Sequence, residues 1–253
     1  MKRRKNLSDL IVLPQALLVP GVFNAINAKL AEHLQIKAIY ISGAGISNAL
    51  MGKPDIGLIS LPELARQVRY ISDAVSLPVI VDADTGFGGA RQVSHAVKIL
   101  EQAGASAIQI EDQADHKRCG HLAGKRLIRM RAMVEKIKAA CQGRRNKNTW
   151  IIARTDARGV EGLEKAIVRA NHYREAGADM IFPEALTSKD DFVRFAERVP
   201  APLLANMTEF GQTPYFSIQE FKKMGYHCVI FPMTAFRLMM KAAEHGLRNL
   251  KRS

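Results

Sequence analysis

The amino-acid sequence predicts an α/β fold of the (β/α)₈ TIM-barrel class, and two observations lead to this prediction. The first is an alternation in which eight short apolar runs, rich in Val, Ile and Ala, are each followed by a longer helical stretch. Continuous hydrophobicity of this kind is typical of parallel strands that are buried on both faces. The predicted strands are residues 16–19, 38–41, 79–81, 107–110, 150–153, 180–182, 203–205 and 228–231.

The second observation is a weak internal repeat at the junctions between helices and strands. The segments EQAGASAIQIED (101–112), REAGADMIFPEA (174–185) and the looser KKMGYHCVIFP (222–232) share a helix end, a glycine and an apolar run. Glycine is the residue that most often ends a helix in this way. Eight such units predict one barrel domain over residues 1–253. A doubly wound open sheet is the alternative, but no GxGxxG motif follows the first apolar run.

The helical segments carry their own start signals. Residues 61–75 follow Ser60 as the predicted N-cap, with Pro62 in the first turn and Glu63 three residues after the cap. This spacing is the pattern of a capping box, which fixes where a helix begins. The other predicted helices are residues 91–102, 163–175 and 216–223.

The charge balance favours an anionic partner. The chain carries 37 Lys and Arg against 24 Asp and Glu, a formal net charge of +13. Much of the excess lies in residues 1–5, 144–147 and 248–253, and no single basic stripe carries interleaved aromatic residues. Such a charge suits nucleic acid, a membrane surface or a small polyacid such as a di- or tricarboxylate, and without a basic stripe no nucleic-acid partner is expected.

The three cysteines, Cys119, Cys141 and Cys228, are odd in number and lack CxxC spacing. This argues against a disulfide framework or a zinc site and is typical of a reducing compartment. No apolar run reaches the length of a membrane span, so no membrane partner is expected. The sequence therefore predicts a cytoplasmic protein in which Cys141 and Cys228, both in apolar contexts, are inert core thiols.

Polar and charged residues follow most of the predicted strands. In a barrel, catalytic side chains lie at the carboxyl ends of the strands, so these residues are expected to meet at one end. The N–H groups of the SGAG turn at 42–45 are expected to hold a carboxylate or phosphate. In strand order, the residues are Ser42, Gly43, Ala44, Asp82, Asp84, Glu111, Arg154, Glu184, Asn206 and Thr208, with Arg237 in the last helix.

Three of the acids form a candidate metal site. Asp82 and Asp84 are two residues apart and lie on one side of an extended strand, and Glu111 ends the next strand along the chain. Mg²⁺ is bound by few carboxylates and keeps several waters. Any one of these acids could equally be a helix cap or a salt-bridge partner. Acids at the ends of several strands together favour a shared site.

The loop KRCGH at 117–121 is the second candidate for chemistry. Nearby cations lower the pKa of a thiol, so Cys119 is expected to have a lowered pKa. Gly120 and Gly124 allow the loop to bend. An incidental cysteine in a solvated surface loop is the alternative reading. His121 is expected to orient Cys119 rather than bind a metal, because no second histidine stands at a useful spacing.

Arg154, Asn206 and Thr208 also allow two readings. Arg154 either pairs with Glu184 or holds a substrate carboxylate through its bidentate fork. Asn206 and Thr208 either form a turn or donate hydrogen bonds to a carboxylate. Residue type alone leaves both readings open for all three.

Seven motifs occur in order along the chain: SGAG, VDADTGFGG, IEDQ, KRCGH, ARTDA, FPEA and NMTEFGQTP. Together they resemble the isocitrate lyase/phosphoenolpyruvate mutase superfamily over residues 20–246, and within it the branch that cleaves 2-methylisocitrate. The cysteine of KRCGH separates this branch from the phosphonate mutases. Full isocitrate lyases carry long insertions, and they have an NCSPSF-like motif where this chain has NMTEFG.

The resemblance implies a (β/α)₈ barrel and a Mg²⁺-dependent, retro-aldol type cleavage of 2-methylisocitrate to pyruvate and succinate. Asp82 and Asp84 would bind Mg²⁺, directly or through water, with Glu111 close by. Cys119 would be the general acid. Tyr40 is the candidate base, although an aromatic ring packed at a strand end is an equal reading. The implied catalytic residues are Cys119, Tyr40, His121, Arg154 and Glu184, and the implied substrate-binding residues are Ser42, Gly43, Ala44, Asp55, Cys119, Gly120, Arg154, Glu184, Asn206, Thr208 and Arg237.

The resemblance leaves the substrate and the assembly open. Phe182, Ile230 and Pro232 match positions that shape the pocket around the extra methyl group. A lyase for oxaloacetate or an alkylmalate is an alternative, as is a shortened, inactive member that only binds carboxylates. Superfamily members usually continue with a helical segment that exchanges between subunits and supplies a late arginine. The sequence ends at Ser253, so this C-terminal extension is expected to be missing or short. A homo-oligomer is expected, which is a tetramer in the family.

Overall fold

The computed structural model describes residues 6–12, 14–114 and 117–252, so the predicted basic segment at 1–5 lies outside the described residues. Eight strands form one sheet, and all of their pairings are parallel. Every predicted apolar run forms one of these strands. They are β1 (Leu17–Val22), β2 (Ile39–Ile41), β3 (Val79–Asp82), β4 (Ala107–Glu111), β5 (Trp150–Thr155), β6 (Met180–Pro183), β7 (Leu204–Asn206) and β8 (Cys228–Phe231).

The order of the strands closes the sheet on itself. Strands that follow one another in the chain lie side by side, in the order β6-β5-β4-β3-β2-β1-β8-β7. A parallel bridge between Ile181 of β6 and Leu203, next to β7, brings the two ends of the sheet together. The sheet is therefore a nearly closed (β/α)₈ barrel, and the predicted fold class is confirmed. The doubly wound open sheet is wrong, because that fold reverses its strand order at a switch point.

The helices alternate with the strands and largely follow the sequence signals. Ser60 and Glu63 form the predicted capping box at the start of a 14-residue helix. A second capping box, between Ser217 and Glu220, starts another helix two residues later than predicted. Among the described residues the helices are α1 (Leu7–Ile11), α2 (Ala25–His33), α3 (Gly43–Met51), α4 (Leu61–Ala74), α5 (Ala90–Ala103), α6 (Met130–Gly143), α7 (Arg158–Glu161), α8 (Leu163–Glu175), α9 (Lys189–Arg198), α10 (Ile218–Lys223) and α11 (Thr234–Leu250).

Buried apolar side chains form two clusters, one between the sheet and the helices and one inside the barrel. Leu7, Leu10 and Ile11 of α1 belong to the inner cluster, together with residues that begin strands, such as Leu17 and Ala107. Helix α1 therefore covers the amino-terminal end of the barrel. The opposite, carboxyl end is the end at which barrel sites are built.

Helices α2 and α11 leave much apolar surface uncovered. Helix α11 has no buried residue along its 17-residue length. The exposed large apolar side chains on the two helices are Ile26, Leu30, Leu238, Met239, Met240, Leu247 and Leu250. Apolar surface of this extent is typical of a surface that binds another protein. None of the helices in the described ranges has the length and apolar character needed to cross a lipid bilayer.

Candidate active site

The predicted site residues converge on one cavity of about 490 Å³ at the carboxyl end of the barrel. Phe182, Ile230 and Pro232 also line this cavity. Gly43 and Asp84 lie beside the lining residue Asp82, and Glu111 lies beside Arg154. The predicted residues that line the cavity directly are Tyr40, Ser42, Ala44, Asp55, Asp82, Cys119, Gly120, His121, Arg154, Glu184, Asn206, Thr208 and Arg237.

The SGAG turn forms the amino terminus of helix α3. Ser42 is the N-cap, and its Oγ accepts a hydrogen bond from the N–H of Gly45 at 3.3 Å. The N–H of Gly43 donates to Oδ2 of Asp82 at 3.2 Å. Two of the N–H groups that were expected to hold an anionic ligand are therefore bonded within the protein, and the N–H of Gly43 fixes Asp82 at the positive end of a helix.

Three carboxylates meet at one point beside Gly43. A Cβ on this glycine would lie 3.2 Å from Oδ1 of Asp84, 3.3 Å from Oδ2 of Asp82 and 3.5 Å from Oδ1 of Asp55. Because glycine has no Cβ, a small space bounded by three oxygens stays open. Asp55 comes from the loop after α3, and periodicity in the sequence gave no sign that it would join this cluster.

The ammonium of Lys117 is the counter-charge of this carboxylate cluster. Its Nζ lies 2.6 Å from Oδ1 of Asp55 and also pairs with Oδ1 of Asp84. Burial raises the pKa of Asp84 to about 6, even though Lys117 opposes the shift. A carboxylate held among like charges in a dry site gains most from a cation, so the donor set suits a hard metal ion.

The carboxylate of Glu111 faces Arg154 and is not among the oxygens nearest Gly43, although its backbone N–H donates to the carbonyl oxygen of Asp84 at 2.9 Å. One of its oxygens lies 3.2 Å from Nη1 of Arg154, and neither oxygen accepts a hydrogen bond from the described residues. Burial raises its pKa well above the ordinary range. Across residues 6–12, 14–114 and 117–252, no three His, Cys, Asp or Glu side chains come close enough to complete a metal site alone. Mg²⁺ usually takes one or two carboxylates and keeps several waters, so Asp82 and its neighbours fit this ion.

Arg154 binds three buried carboxylates at once. Its Nε and Nη2 donate to the two oxygens of Asp156, at 2.9 and 3.1 Å. Its Nη1 lies 3.2 Å from Glu111 and 3.3 Å from Glu184. Asp156 therefore takes the bidentate fork that one of the two readings gave to a substrate carboxylate, and the pairing with Glu184, which is the other reading, is present. The edge of the Arg154 guanidinium that lines the cavity is available to a ligand.

Glu184 connects Arg154 to the far side of the cavity. One of its oxygens lies 3.3 Å from Nε2 of His121, and Nδ2 of Asn206 donates to both oxygens at 3.3 Å. Burial would raise the pKa of Glu184, but Arg154 and His121 outweigh burial and lower the pKa to about 2. Glu184 therefore stays ionised and holds His121 and Asn206 in place.

The KRCGH loop lies over the cavity rather than in solvent, so the reading as a solvated surface loop is wrong. A Cβ on Gly120 would lie 2.4 Å from Nη2 of Arg154 and 2.4 Å from Cγ of Glu184, so only glycine fits. Lys125 donates to the carbonyl oxygen of Gly120 and to Oδ1 of Asp156. These contacts hold one side of the loop against the barrel.

The other side of the loop is held by Gln212. Its backbone N–H donates to Nδ1 of His121 at 3.0 Å, and its side-chain Nε2 donates to the carbonyl oxygen of His121 at 2.6 Å. Neither Lys125 nor Gln212 was predicted, because the side chain of each acts on a backbone carbonyl oxygen of the loop. Sequence spacing carries no signal for such contacts.

The thiol of Cys119 is half-buried and lines the cavity. The expectation of a lowered pKa is wrong, because burial raises the pKa of this thiol. Lys117 is already paired with Asp55 and Asp84, and the charge of Glu184 opposes the effect of Arg154 on the pKa of the thiol. A protonated thiol at neutral pH is the form that a proton donor requires.

Glu111 and Asp112 are adjacent in sequence but have different surroundings. Asp112 accepts hydrogen bonds from Oγ1 of Thr155 at 2.8 Å, the N–H of Asp156 at 2.9 Å and the hydroxyl of Tyr173 at 2.8 Å. These bonds join β4 and β5 to helix α8. Successive strand residues point to opposite faces, so the pair is divided between the barrel interior and the helix layer.

Arg237 reaches the cavity from α11 but is engaged by Glu209. Its Nη1 donates to the carbonyl oxygen of Glu209 at 2.8 Å and pairs with the carboxylate of the same residue. Its guanidinium lies 5.2 Å from the ring centroid of Phe210. The contacts place a half-exposed cation at the rim of the cavity.

Comparison with known proteins gives the same family throughout. The family model "Phosphoenolpyruvate phosphomutase" matches residues 7–251. A 2-methylisocitrate lyase of Aeropyrum pernix is 56% identical over 244 residues, which are 96% of this chain and 78% of that protein. The crystal structure of a 2,3-dimethylmalate lyase, described as a member of the PEP mutase/isocitrate lyase superfamily, is 36% identical with a TM-score of 0.93, covering 98% of this chain and 84% of that one.

A further solved structure bears on the metal. It is a phosphonopyruvate hydrolase in complex with oxalate and Mg²⁺, 29% identical with a TM-score of 0.84, covering 94% of this chain and 82% of that one. The family match spans both the barrel and the residues around its cavity. The chain therefore belongs to the phosphoenolpyruvate phosphomutase family, in which its curated relatives are 2-methylisocitrate lyases.

Proposed function

We propose that this chain is a carbon–carbon lyase that cleaves 2-methylisocitrate to pyruvate and succinate with the help of Mg²⁺. One observation carries the proposal. A chain that is 56% identical to a 2-methylisocitrate lyase brings a protonated thiol, a phenol and a carboxylate cluster to the same cavity. This is the set of groups that a retro-aldol cleavage requires.

The reaction needs one proton to leave the substrate and one to enter a product. A base takes the proton of the tertiary hydroxyl, and the oxygen forms the carbonyl group of pyruvate as the carbon–carbon bond breaks. The electron pair of that bond passes to the carbon next to a carboxylate, which becomes a carbanion of succinate. A general acid protonates this carbon. The atoms balance without an oxidant, a reductant or added water.

Cys119 and Tyr40 are our proposed acid and base. Cys119 is held over the cavity by a loop that is bonded on both sides, and its raised pKa keeps the proton available. Burial raises the pKa of Tyr40 well above the ordinary range, and the negative charge of Asp82 raises it further. The phenolate therefore forms only when positive charge enters the cavity.

Asp82 and Asp84, with Asp55 beside them, are the residues that would hold Mg²⁺. The bound ion supplies positive charge that polarises the oxygens of the α-hydroxy acid. Glu111 lies beside Arg154 and contributes negative charge to the cluster. It would not contact the ion directly.

The substrate carboxylates find cations and neutral donors around the cavity. Arg154 and Arg237 bring positive charge, while Ser42, His121, Asn206 and Thr208 bring other polar groups. Ala44 and Gly120 line the wall between them, and Phe182, Ile230 and Pro232 supply apolar surface for the methyl group. A methyl group buried in such a pocket is worth about 1 kcal/mol in selectivity.

We also propose that the chain forms a homo-oligomer in the cytoplasm. Helices α2 and α11 expose apolar side chains on the outside of the barrel, which a second copy of the chain would cover. The three cysteines are free, as expected in a reducing compartment. Size-exclusion chromatography with light scattering, in which a mass of one chain would contradict the proposal, measures the assembly.

Turnover on a panel of acids tests the proposed activity. Pyruvate release, followed through coupled lactate dehydrogenase with Mg²⁺ present, is expected to give the highest kcat/KM on 2-methylisocitrate. A higher kcat/KM on 2,3-dimethylmalate, or on oxaloacetate assayed by its own products, would assign the chain to a related lyase. Binding of 2-methylisocitrate in calorimetry without any product would identify a carboxylate-binding member that lacks activity.

A further inference from the structure

Gln109 lies in the middle of β4, with its side chain inside the barrel and 0% exposed. It was not predicted, because it falls within an apolar run. Its side chain contacts two groups of the proposed site. Oε1 accepts a hydrogen bond from the hydroxyl of Tyr40 at 2.9 Å, and Nε2 donates to Oδ1 of Asp82 at 3.0 Å.

The chemistry of these partners fixes the orientation of the amide. A carboxylate only accepts hydrogen bonds, so the NH₂ group of Gln109 must face Asp82. The carbonyl oxygen of the same amide must then face Tyr40, and Tyr40 must donate its own proton to it. The lone pairs of the Tyr40 oxygen are left for the cavity that Tyr40 lines.

Hydrogen bonds join Tyr40 to Asp82 through the amide of Gln109. Asp82 receives its other hydrogen bonds from the backbone N–H groups of Gly43 and Asp84 at 3.2 Å. Gln109 is the side chain that touches both Asp82 and Tyr40. Because both hydrogen bonds belong to one amide, a rotation of Gln109 would break both, so the position of one partner constrains that of the other.

We propose that Gln109 is a positioning residue that links the metal-binding carboxylate Asp82 to the hydroxyl of Tyr40. The proposal rests on the proposed function, because that function gives Asp82 and Tyr40 their roles. Gln109 itself is fully buried and is not among the residues that line the cavity. It holds Asp82 in the orientation that receives a cation, and it holds Tyr40 with its oxygen open to the hydroxyl of the substrate.

Binding of Mg²⁺ alone, measured by calorimetry without substrate, is the readout. Gln109→Met keeps the length of the side chain and removes both hydrogen bonds. Loss of a bond that orients a metal ligand weakens metal binding by about 10- to 100-fold, and we expect a loss in this range. Ile152, the register partner of Gln109 on β5, gives the matched control. Ile152→Leu is expected to change the affinity by less than about twofold.

A double-mutant cycle tests the link itself. Tyr40→Phe removes a hydroxyl that does not touch Asp82, yet it frees the amide that orients Asp82. We expect it to weaken Mg²⁺ binding by about threefold to tenfold in the native background and to have no effect in Gln109→Met, since interacting residues give non-additive changes. Tyr226→Phe is the matched control, because its hydroxyl bonds the carbonyl oxygen of Phe192 elsewhere in the barrel.

Several outcomes would overturn the inference. Native Mg²⁺ affinity in Gln109→Met, or additive effects in the cycle, would show that no link exists. If Gln109→Met does not fold, Tyr40→Phe decides the question alone, and an affinity equal to that of Tyr226→Phe overturns the proposal. A native chain that binds Mg²⁺ but cleaves no acid would contradict the proposed function and leave this metal-only test intact.

Discussion

Replacement of Cys119 by serine is expected to lower kcat for 2-methylisocitrate by about 10²- to 10⁴-fold, the range that general acid catalysis contributes. A serine hydroxyl is similar in size but far weaker as an acid, so it fills the site without donating the proton. The residue is half-buried on a loop, and the substitution leaves the core unchanged. We therefore expect KM and Mg²⁺ affinity to change little.

Cys141→Ser is the matched control for this substitution. Cys141 is also half-buried, and its Sγ lies 3.2 Å from the carbonyl oxygen of Gly177, on the outside of the barrel. Its replacement is expected to leave kcat unchanged. A native rate in Cys119→Ser would refute the acid role, whereas an equal loss in both variants would point to damage to the fold.

Replacement of Arg154 by methionine is expected to abolish cleavage and to lower the free energy of unfolding by about 3–5 kcal/mol. The guanidinium neutralises Glu111, Asp156 and Glu184, which are buried at the centre of the site. Without it, Glu111 and Glu184 lose this counter-charge in a dry environment, and Asp156 is left with Lys125. Urea denaturation monitored by fluorescence or circular dichroism measures the loss, and the pyruvate assay measures the activity.

The pH dependence of this loss follows from Glu184. Its pKa is lowered to about 2, so in the native chain it contributes stability that is present above the ordinary carboxyl range and is lost as the pH falls toward 2. In Arg154→Met this contribution is absent. The difference in stability between the two proteins is therefore expected to narrow as the pH falls from about 5 toward 3.

An exposed arginine gives the control for Arg154. Arg194 pairs with Glu164 at 2.8 Å on the surface, and Arg194→Met is expected to cost less than about 1 kcal/mol, since exposed ion pairs contribute little. A stability loss in Arg154→Met no larger than that of Arg194→Met would contradict the role of Arg154 as the counter-charge of the buried acids.

The fold was predictable because its signals are local. Continuous apolar runs identified all eight strands, and the Ser60–Glu63 box placed the start of α4. The short helices α3 and α7 were missed, since elements of a few turns have little periodicity to detect. Helix α1 was missed for the same reason, and with it the way in which the amino-terminal end of the barrel is covered.

The candidate site was predictable where polar residues end strands, and less so elsewhere. Asp82, Arg154 and Glu184 follow that rule, and the cavity includes them. Gln109 does not follow that rule. A single amide inside an apolar run predicts only a strand residue and gives no sign of a site. Charges near a cysteine predicted the wrong direction for the pKa of Cys119, because the sequence does not show that the thiol is buried in the fold.

The grouping of the acids also depended on tertiary contacts. The sequence joined Glu111 to Asp82 and Asp84, whereas the structure brings Asp55 to that pair and sets Glu111 against Arg154. Strand spacing gives the face on which a side chain lies, but not which loop from another unit of the barrel will meet it.

The most direct test of the proposed activity is proton NMR of 2-methylisocitrate incubated with the purified chain and Mg²⁺. We predict that pyruvate and succinate appear together in a one-to-one ratio, that chelation of Mg²⁺ stops the reaction, and that added Mg²⁺ restores it. Substrate that stays intact while the folded chain binds Mg²⁺, or pyruvate that forms without succinate, would contradict the assignment of this chain as a 2-methylisocitrate-cleaving lyase.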